Sequence, residues 1–273
     1  MKFADLHLHT VFSDGTYTPQ QLISEAQGAG LSGIAVVDHD TVEGIEPAGK
    51  AAEAKDIELI PGIELSSEYQ GLEVHILGYL IDYKDRELNE KLASLKQDRI
   101  QRIYKIIDKL QGIGIKLTAQ SVFDIAGEGT TGRLHIARAL LKEKLINSIP
   151  EAFRKYIGEN CPAYVCGFRF APKEAFSLIR RVGGIPVLAH PYSLHRDDLI
   201  PVFVDYGLMG LEAYYPEHSK SMVRTYLSLA KKYNLLVTGG SDCHGKAKPE
   251  ARIGSLKVPY SLVEQLKQAK ERI

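Results

Sequence analysis

Asp5-Leu-His-Leu-His9 ends an apolar, β-rich run in two imidazoles, and six later segments deliver a histidine or a carboxylate at comparable points. They are Asp14, Asp38-His-Asp40, Pro61-Gly-Ile-Glu64, Val74-His75, Ala189-His-Pro191 and Ser241-Asp-Cys-His244. Side chains two apart in a strand share a face, so His7 is expected to project with His9 and Asp242 with His244, while Cys243 points away. Imidazoles and carboxylates drawn from so many places read as one polynuclear metal site, and the chain reads as a metallohydrolase.

Working outward, the first third alternates strand and helix signals. Strands are expected at 3–9, 34–38 and 58–64, helices at 18–30 and 44–55, with 73–80 continuing the sheet. Such repetition implies parallel strands covered by helices. From 85 the apolar positions switch to helical spacing, among them Leu88, Leu92, Leu95, Ile103, Ile106 and Leu110. Further helices are expected at 118–126, 133–143 and 150–156. Residues 85–171 therefore read as a helical insertion, and the β-α rhythm resumes over 172–273. About seven strands emerge, with His39, Glu64, His190, Asp242 and His244 at or just beyond their ends. Catalytic groups of α/β barrels gather there.

The order H-x-H, D-H, an Ala-His-Pro histidine and a terminal D-x-H resembles the PHP (polymerase and histidinol phosphatase) family, here as His7/His9, Asp38/His39, His190 and Asp242/His244. Within it, Phe12-Ser-Asp-Gly-Thr16, Pro61-Gly-Ile-Glu64 and Thr131-Gly-Arg-Leu-His135 are similar to small phosphoesterases that include nucleoside 3′,5′-bisphosphate phosphatases and 5′-to-3′ exoribonucleases. The resemblance implies an α/β fold, a distorted (β/α)7 TIM-like barrel formed by 1–84 and 172–273, with the helical subdomain contributing to substrate binding. It also implies two to three divalent ions of manganese, zinc or iron. One would be held by His7, His9, Glu64 and Asp242. Glu64 would bridge to a second, held also by His75 and His190, and a third would take Asp14, His39 and His244. Such ions supply an activated water and positive charge beside a phosphoryl group.

Other residues carry weaker signals. Asp38 and Asp40 are candidates for orienting His39 or a metal-bound water, and Asp40 equally for capping the following helix. Arg133 and His135 open a helix after a glycine-rich loop, a place that favours anions. An arginine there can grip phosphate through two hydrogen bonds, so the pair is expected to hold a substrate's non-reacting phosphate. His218 is a candidate general acid. Gly127-Glu-Gly-Thr-Thr-Gly132 fits G-x-G-x-x-G, but a helical run precedes it where a dinucleotide site needs a strand.

Composition sets the bounds. Thirty-four basic residues balance thirty-four acidic ones, so no long duplex nucleic acid or membrane partner is expected. No run approaches the roughly twenty apolar residues of a membrane span, the N-terminus lacks a signal-peptide core, and a cytoplasmic protein is expected. Three cysteines are too few for a disulfide framework. The expected substrate is a small phosphorylated nucleotide or short oligonucleotide, most plainly a nucleoside 3′,5′-bisphosphate. The rival readings are histidinol phosphate or another small monoester, and a non-catalytic nucleic-acid-binding or polymerase-accessory module.

Overall fold

The computed structural model describes residues 2–166 and 170–273. Strand β1 (Phe3–Leu8) is followed by α1 (Pro19–Gly28), β2 (Gly33–Val36), α2 (Ile45–Glu53), β3 (Glu58–Tyr69) and β4 (Leu72–Tyr79). Helices α3 (Arg86–Gly112), α4 (Ala119–Ala126), α5 (Arg133–Lys142) and α6 (Ile149–Ala152) come next, and the described residues between 86 and 166 hold no strand. The alternation returns with α7 (Pro172–Arg181), β5 (Ile185–Leu188), α8 (Ile200–Asp205), β6 (Gly210–Tyr214), α9 (Lys220–Lys232), β7 (Leu236–Gly239), β8 (Val258–Pro259) and α10 (Ser261–Lys270). One sheet runs in the order β7-β6-β5-β4-β3-β2-β1-β8. A parallel bridge between Leu8 and Cys243 brings the segment after β7 back to β1, so the sheet nearly closes into the expected distorted barrel.

The helices begin where local chemistry satisfies their free N–H groups. Thr18 caps α1 in a reciprocal box with Gln21, Asp85 accepts the Leu88 N–H ahead of α3, and Ser219 accepts the Met222 N–H ahead of α9. Leu22, Ile23, Ala26, Ala48 and Ala52 of α1 and α2 pack with Leu8, Ile34 and Val36. A separate core of Ile103, Ile106, Leu110, Val122, Ile136 and Leu140 holds α3, α4 and α5 together. Beyond α6, the expected helix at 150–156 changes to one turn of π-helix over Phe153–Ile157.

The expectation of parallel strands fails at β4, which runs antiparallel to both β3 and β5, and at the short β8, antiparallel to β1. The cause at β4 is a two-residue hairpin: Tyr69 pairs with Leu72, and Gln70 and Gly71 both take positive φ, 53° and 83°. That is the requirement of a tight turn matched to strand twist, and glycine meets it without strain. The reversal has a functional consequence. β3 continues to Tyr69, so Glu64 lies within a strand and not at its end. The antiparallel β4 brings His75 to the same rim from its N-terminal half, opposite Ser66.

Two register irregularities sit beside the site. Pairing of β1 with β2 shifts between Asp5 and Leu8, and pairing of β6 with β7 shifts between Glu212 and Tyr214. Such bulges re-aim side chains near functional sites. Here Leu6 packs with Ala35, Val37 and Tyr79, while Leu8 joins the cluster under α1 and α2.

Candidate metal centre

Glu64 is 1 % exposed, and its two oxygens face different sets of imidazoles. Oε2 lies 3.2 Å from His7 Nε2, 3.2 Å from His9 Nε2 and 3.3 Å from His39 Nδ1. Oε1 lies 2.9 Å from His75 Nδ1 and 3.1 Å from His190 Nε2. Asp242 Oδ1 adds to the first side, 3.5 Å from His7 Nε2 and 3.2 Å from His9 Nε2. Asp14 and His244 meet at 3.0 Å, and His39 Nε2 is 3.9 Å from Asp14 Oδ2. All nine residues singled out as ligands thus converge on one rim of the barrel.

Several of these atoms are close without hydrogen-bonding. His9 Nε2, His39 Nδ1 and Asp14 Oδ1 are buried and make no hydrogen bond among the described residues, although each lies within 3.3 Å of an oppositely polar atom. Donor atoms aimed at a common point instead of at one another suit a shared cation. Three groups have ligand atoms within 4.8 Å: His9, Asp14, His39 and His244; His7, His9 and Asp242; His39, Glu64 and His75. Imidazole with carboxylate fits divalent ions of the zinc, manganese and iron kind.

Electrostatics point the same way. Burial alone pushes the carboxyls of Glu64, Asp14 and Asp242 up. Neighbouring charges overcome it and hold all three well below the usual range: His39 and His7 for Glu64, His244 and His39 for Asp14, Lys248 and His7 for Asp242. The centre keeps its carboxylates ionised.

Backbone geometry around the rim is constrained. Asp40, His190 and Asp242 have φ of 51°, 26° and 53°, a left-handed region that costs on the order of 1–3 kcal/mol for such residues. Gly240 passes so close to β1 that a Cβ there would lie 2.3 Å from the His7 nitrogen.

Residues outside the expected set complete the site. Glu212, fully buried on β6, accepts from His7 Nδ1 at 2.8 Å and from the His190 N–H at 2.8 Å. Its bond to Nδ1 leaves the His7 Nε2 lone pair aimed at the centre, the usual function of a carboxylate behind a ligand histidine. Glu73 accepts from His75 Nε2 at 3.0 Å and is held by Arg102 and Arg133 at 2.7 and 3.0 Å. Asp242 Oδ2 accepts from Tyr215 Oη at 2.7 Å and Lys248 Nζ at 2.8 Å, which leaves Oδ1 for the centre. Glu212→Gln is expected to reduce metal affinity or kcat/KM by about ten- to a hundredfold. Elemental analysis and kinetics on one preparation check this, and wild-type values in both would show that Glu212 only packs.

Four expectations change. Asp38 does not touch the His39 ring: it accepts from Thr10 N, Thr10 Oγ1 and Ser13 Oγ at 2.6, 2.6 and 2.5 Å, tying down the turn that presents Asp14. Asp40 accepts from Ser66 N at 2.8 Å and from Arg99 Nε at 2.6 Å, and the N-cap of α2 is Gly44 without a side-chain bond, so Asp40 neither orients His39 nor caps the helix. His135 is buried and its Nδ1 accepts the Gly132 N–H at 3.1 Å. Burial, opposed by the Asp14 charge and reinforced by those of Arg138 and Arg99, lowers its pKa to about 4, so its structural role is that of a neutral cap of α5. His218 lies among Tyr192, Tyr215 and Tyr226, and its Nδ1 is 2.9 Å from the Ala213 carbonyl, where the proton must sit. Burial lowers its pKa, which disfavours the protonated form that a general acid needs.

The PHP domain profile matches residues 5–159, more than half of the chain. The protein belongs to the PHP family. A 5′-3′ exoribonuclease of Haemophilus influenzae is 32% identical over 245 residues, covering 88% of this chain and 89% of the relative. A phosphoribosyl 1,2-cyclic phosphate 1,2-diphosphodiesterase of Eggerthella lenta is 30% identical, covering 89% and 94%. A 3′,5′-nucleoside bisphosphate phosphatase of Chromobacterium violaceum is 29% identical, covering 92% and 90%. Among solved structures, a Bifidobacterium adolescentis protein inferred to be a metal-dependent phosphoesterase superposes with a TM-score of 0.89 at 30% identity, covering 96% and 94%. This PHP protein is accordingly a metal-dependent phosphoester hydrolase. No helix of the described residues is long and apolar enough to cross a membrane.

Proposed function

We propose that the protein is a cytoplasmic phosphoesterase that removes phosphate from a nucleoside 3′,5′-bisphosphate and trims short RNA from its 5′ end, using two to three divalent ions. The observation that carries this reading is the position of Glu64 between two sets of imidazoles. His7, His9 and Asp242 would hold one ion with Oε2, His75 and His190 a second with Oε1, and Asp14, His39 and His244 a third. The bound ions supply an activated water and neutralise phosphoryl charge; the remaining work falls to side chains.

Arg133 lines the same cavity of about 230 Å³ as His39, Glu64, His75, His190 and Asp242. Its guanidinium, braced by Glu73 and packed on the rings of Tyr164 and Phe153, would meet the reacting phosphoryl oxygens. The sequence had suggested the non-reacting phosphate for it. Cys161, Cys166 and Cys243 are all free thiols, in keeping with a reducing compartment.

Assay of the manganese-loaded protein against adenosine 3′,5′-bisphosphate, a 5′-phosphorylated RNA, phosphoribosyl 1,2-cyclic phosphate and histidinol phosphate tests the substrate. Preference for the first two is expected, and preference for either of the others replaces this reading. Asp14→Ala is expected to lower metal content by about one ion per chain while leaving the pair around Glu64 filled. Equal metal in variant and wild type would make Asp14 a turn residue.

A further inference from the structure

The candidate ligands differ in what holds them. His7, Glu64 and His75 lie within β1, β3 and β4, whose ladders fix their backbone. Asp14 and His39 lie beyond the ends of β1 and β2, on loops. His39 has an isolated bridge to Glu64, and Asp38 ties Thr10 and Ser13 ahead of Asp14. With His9 and His244, these two loop residues form one of the groups whose ligand atoms lie within 4.8 Å of one another.

Both loops rest on residues 127–132 of the insertion, the glycine-rich run between α4 and α5. Thr130 is 2 % exposed; its N–H donates to the Phe12 carbonyl at 2.9 Å and its hydroxyl to the His39 carbonyl at 2.7 Å. One residue therefore spans the loop of Asp14 and the loop of His39. Glycines permit the close approach: a Cβ on Gly129 would lie 2.7 Å from the Val11 carbonyl oxygen, and one on Gly132 would lie 3.2 Å from Arg99 Nη1 and 3.8 Å from Asp14 Oδ2. Arg99, buried on α3, holds the same place from the helix side. It donates to Asp40, next to His39, at 2.6 Å, to the Thr131 carbonyl at 2.9 Å and to Ser66 Oγ at 2.7 Å.

We infer that Thr130 and Arg99 are positioning residues for the third ion: the insertion braces the two loops that carry Asp14 and His39, and without the brace these ligands lose their common point. The inference rests on the three-ion reading and goes past it, because it gives the helical insertion a part in building the metal centre. It also gives the run from Gly127 to Gly132 a purpose, which is contact with the barrel loops. Residues that hold a ligand from behind commonly set metal affinity. The ligands on β1, β3 and β4 keep their ladders when Thr130 changes, so the effect should fall on one ion.

The test is T130V, which removes the hydroxyl from a side chain of nearly the same shape, beside T130S, which keeps it. Each metal-free protein is titrated with manganese and the bound manganese per chain is measured, while a thermal melt of the metal-free protein reads the fold. Wild type and T130S are expected to take up the third ion. T130V should bind that ion about ten- to a hundredfold more weakly, keep the pair around Glu64, and melt close to wild type in the metal-free state. Wild-type affinity for every ion in T130V, whether or not its melt falls, overturns the brace, and so does an equal weakening of all ions. R99K keeps a cation opposite Asp40 but cannot reproduce the three bonds of the guanidinium. It should show the same loss of one ion, and it decides the matter if T130V does not fold. A wild type that saturates without a third ion refutes the three-ion reading and takes the brace with it, whereas a third ion bound equally by wild type, T130V and R99K refutes the brace alone.

Discussion

Glu64→Ala is expected to lower kcat/KM by on the order of a thousandfold or more and to release metal from the protein. Five imidazoles lie within 3.3 Å of this one carboxylate: His7, His9 and His39 at Oε2, His75 and His190 at Oε1. Alanine removes the negative charge that these groups and their ions share, and bound ions stabilise phosphoryl transfer by several kcal/mol, each 1.4 kcal/mol being about a factor of ten. Glu64→Gln separates charge from shape: it keeps the volume and should still lose metal. Elemental analysis beside a thermal melt reads both effects, and a well-folded Glu64→Ala with full metal content would remove Glu64 from the centre.

Arg133→Ala is expected to reduce kcat/KM by about ten- to a hundredfold on adenosine 3′,5′-bisphosphate and on p-nitrophenyl phosphate alike. Equal losses follow from its place in the ligand cavity, where every phosphoryl substrate must sit. The same change leaves Glu73 with Arg102 and His75 as partners, so that carboxylate stays paired and the effect on stability should be small. A loss confined to the bisphosphate would return Arg133 to the non-reacting phosphate.

How far the chain was legible depended on whether a residue's role followed from its spacing. His7 and His9, or Asp242 and His244, announce themselves by alternation, and their convergence on Glu64 needs only that several strands end on one rim. Glu212 was missed although it stands within Gly-Leu-Glu-Ala-Tyr, an otherwise apolar run in which a buried acid must have a partner. Glu73 was missed although it alternates with His75. Nothing local could show that Lys248 folds back on Asp242, because that contact depends on the turn after His244. The direction of β4 was visible in Gln70-Gly71, but the surrounding β-α rhythm favoured parallel pairing. For His135 and His218 the residue type suggested chemistry, but burial, which lowers the pKa of both, could not be read locally: one caps α5 and the other packs among tyrosines.

The central claim is that this cluster of imidazoles and carboxylates works only as a metal centre. Its most direct test is the rate of adenosine 3′,5′-bisphosphate hydrolysis by chelator-treated protein, shown by elemental analysis to be metal-free, before and after manganese is restored. The expected result is no turnover without metal and recovery on addition. Full activity in the metal-free protein would contradict the account.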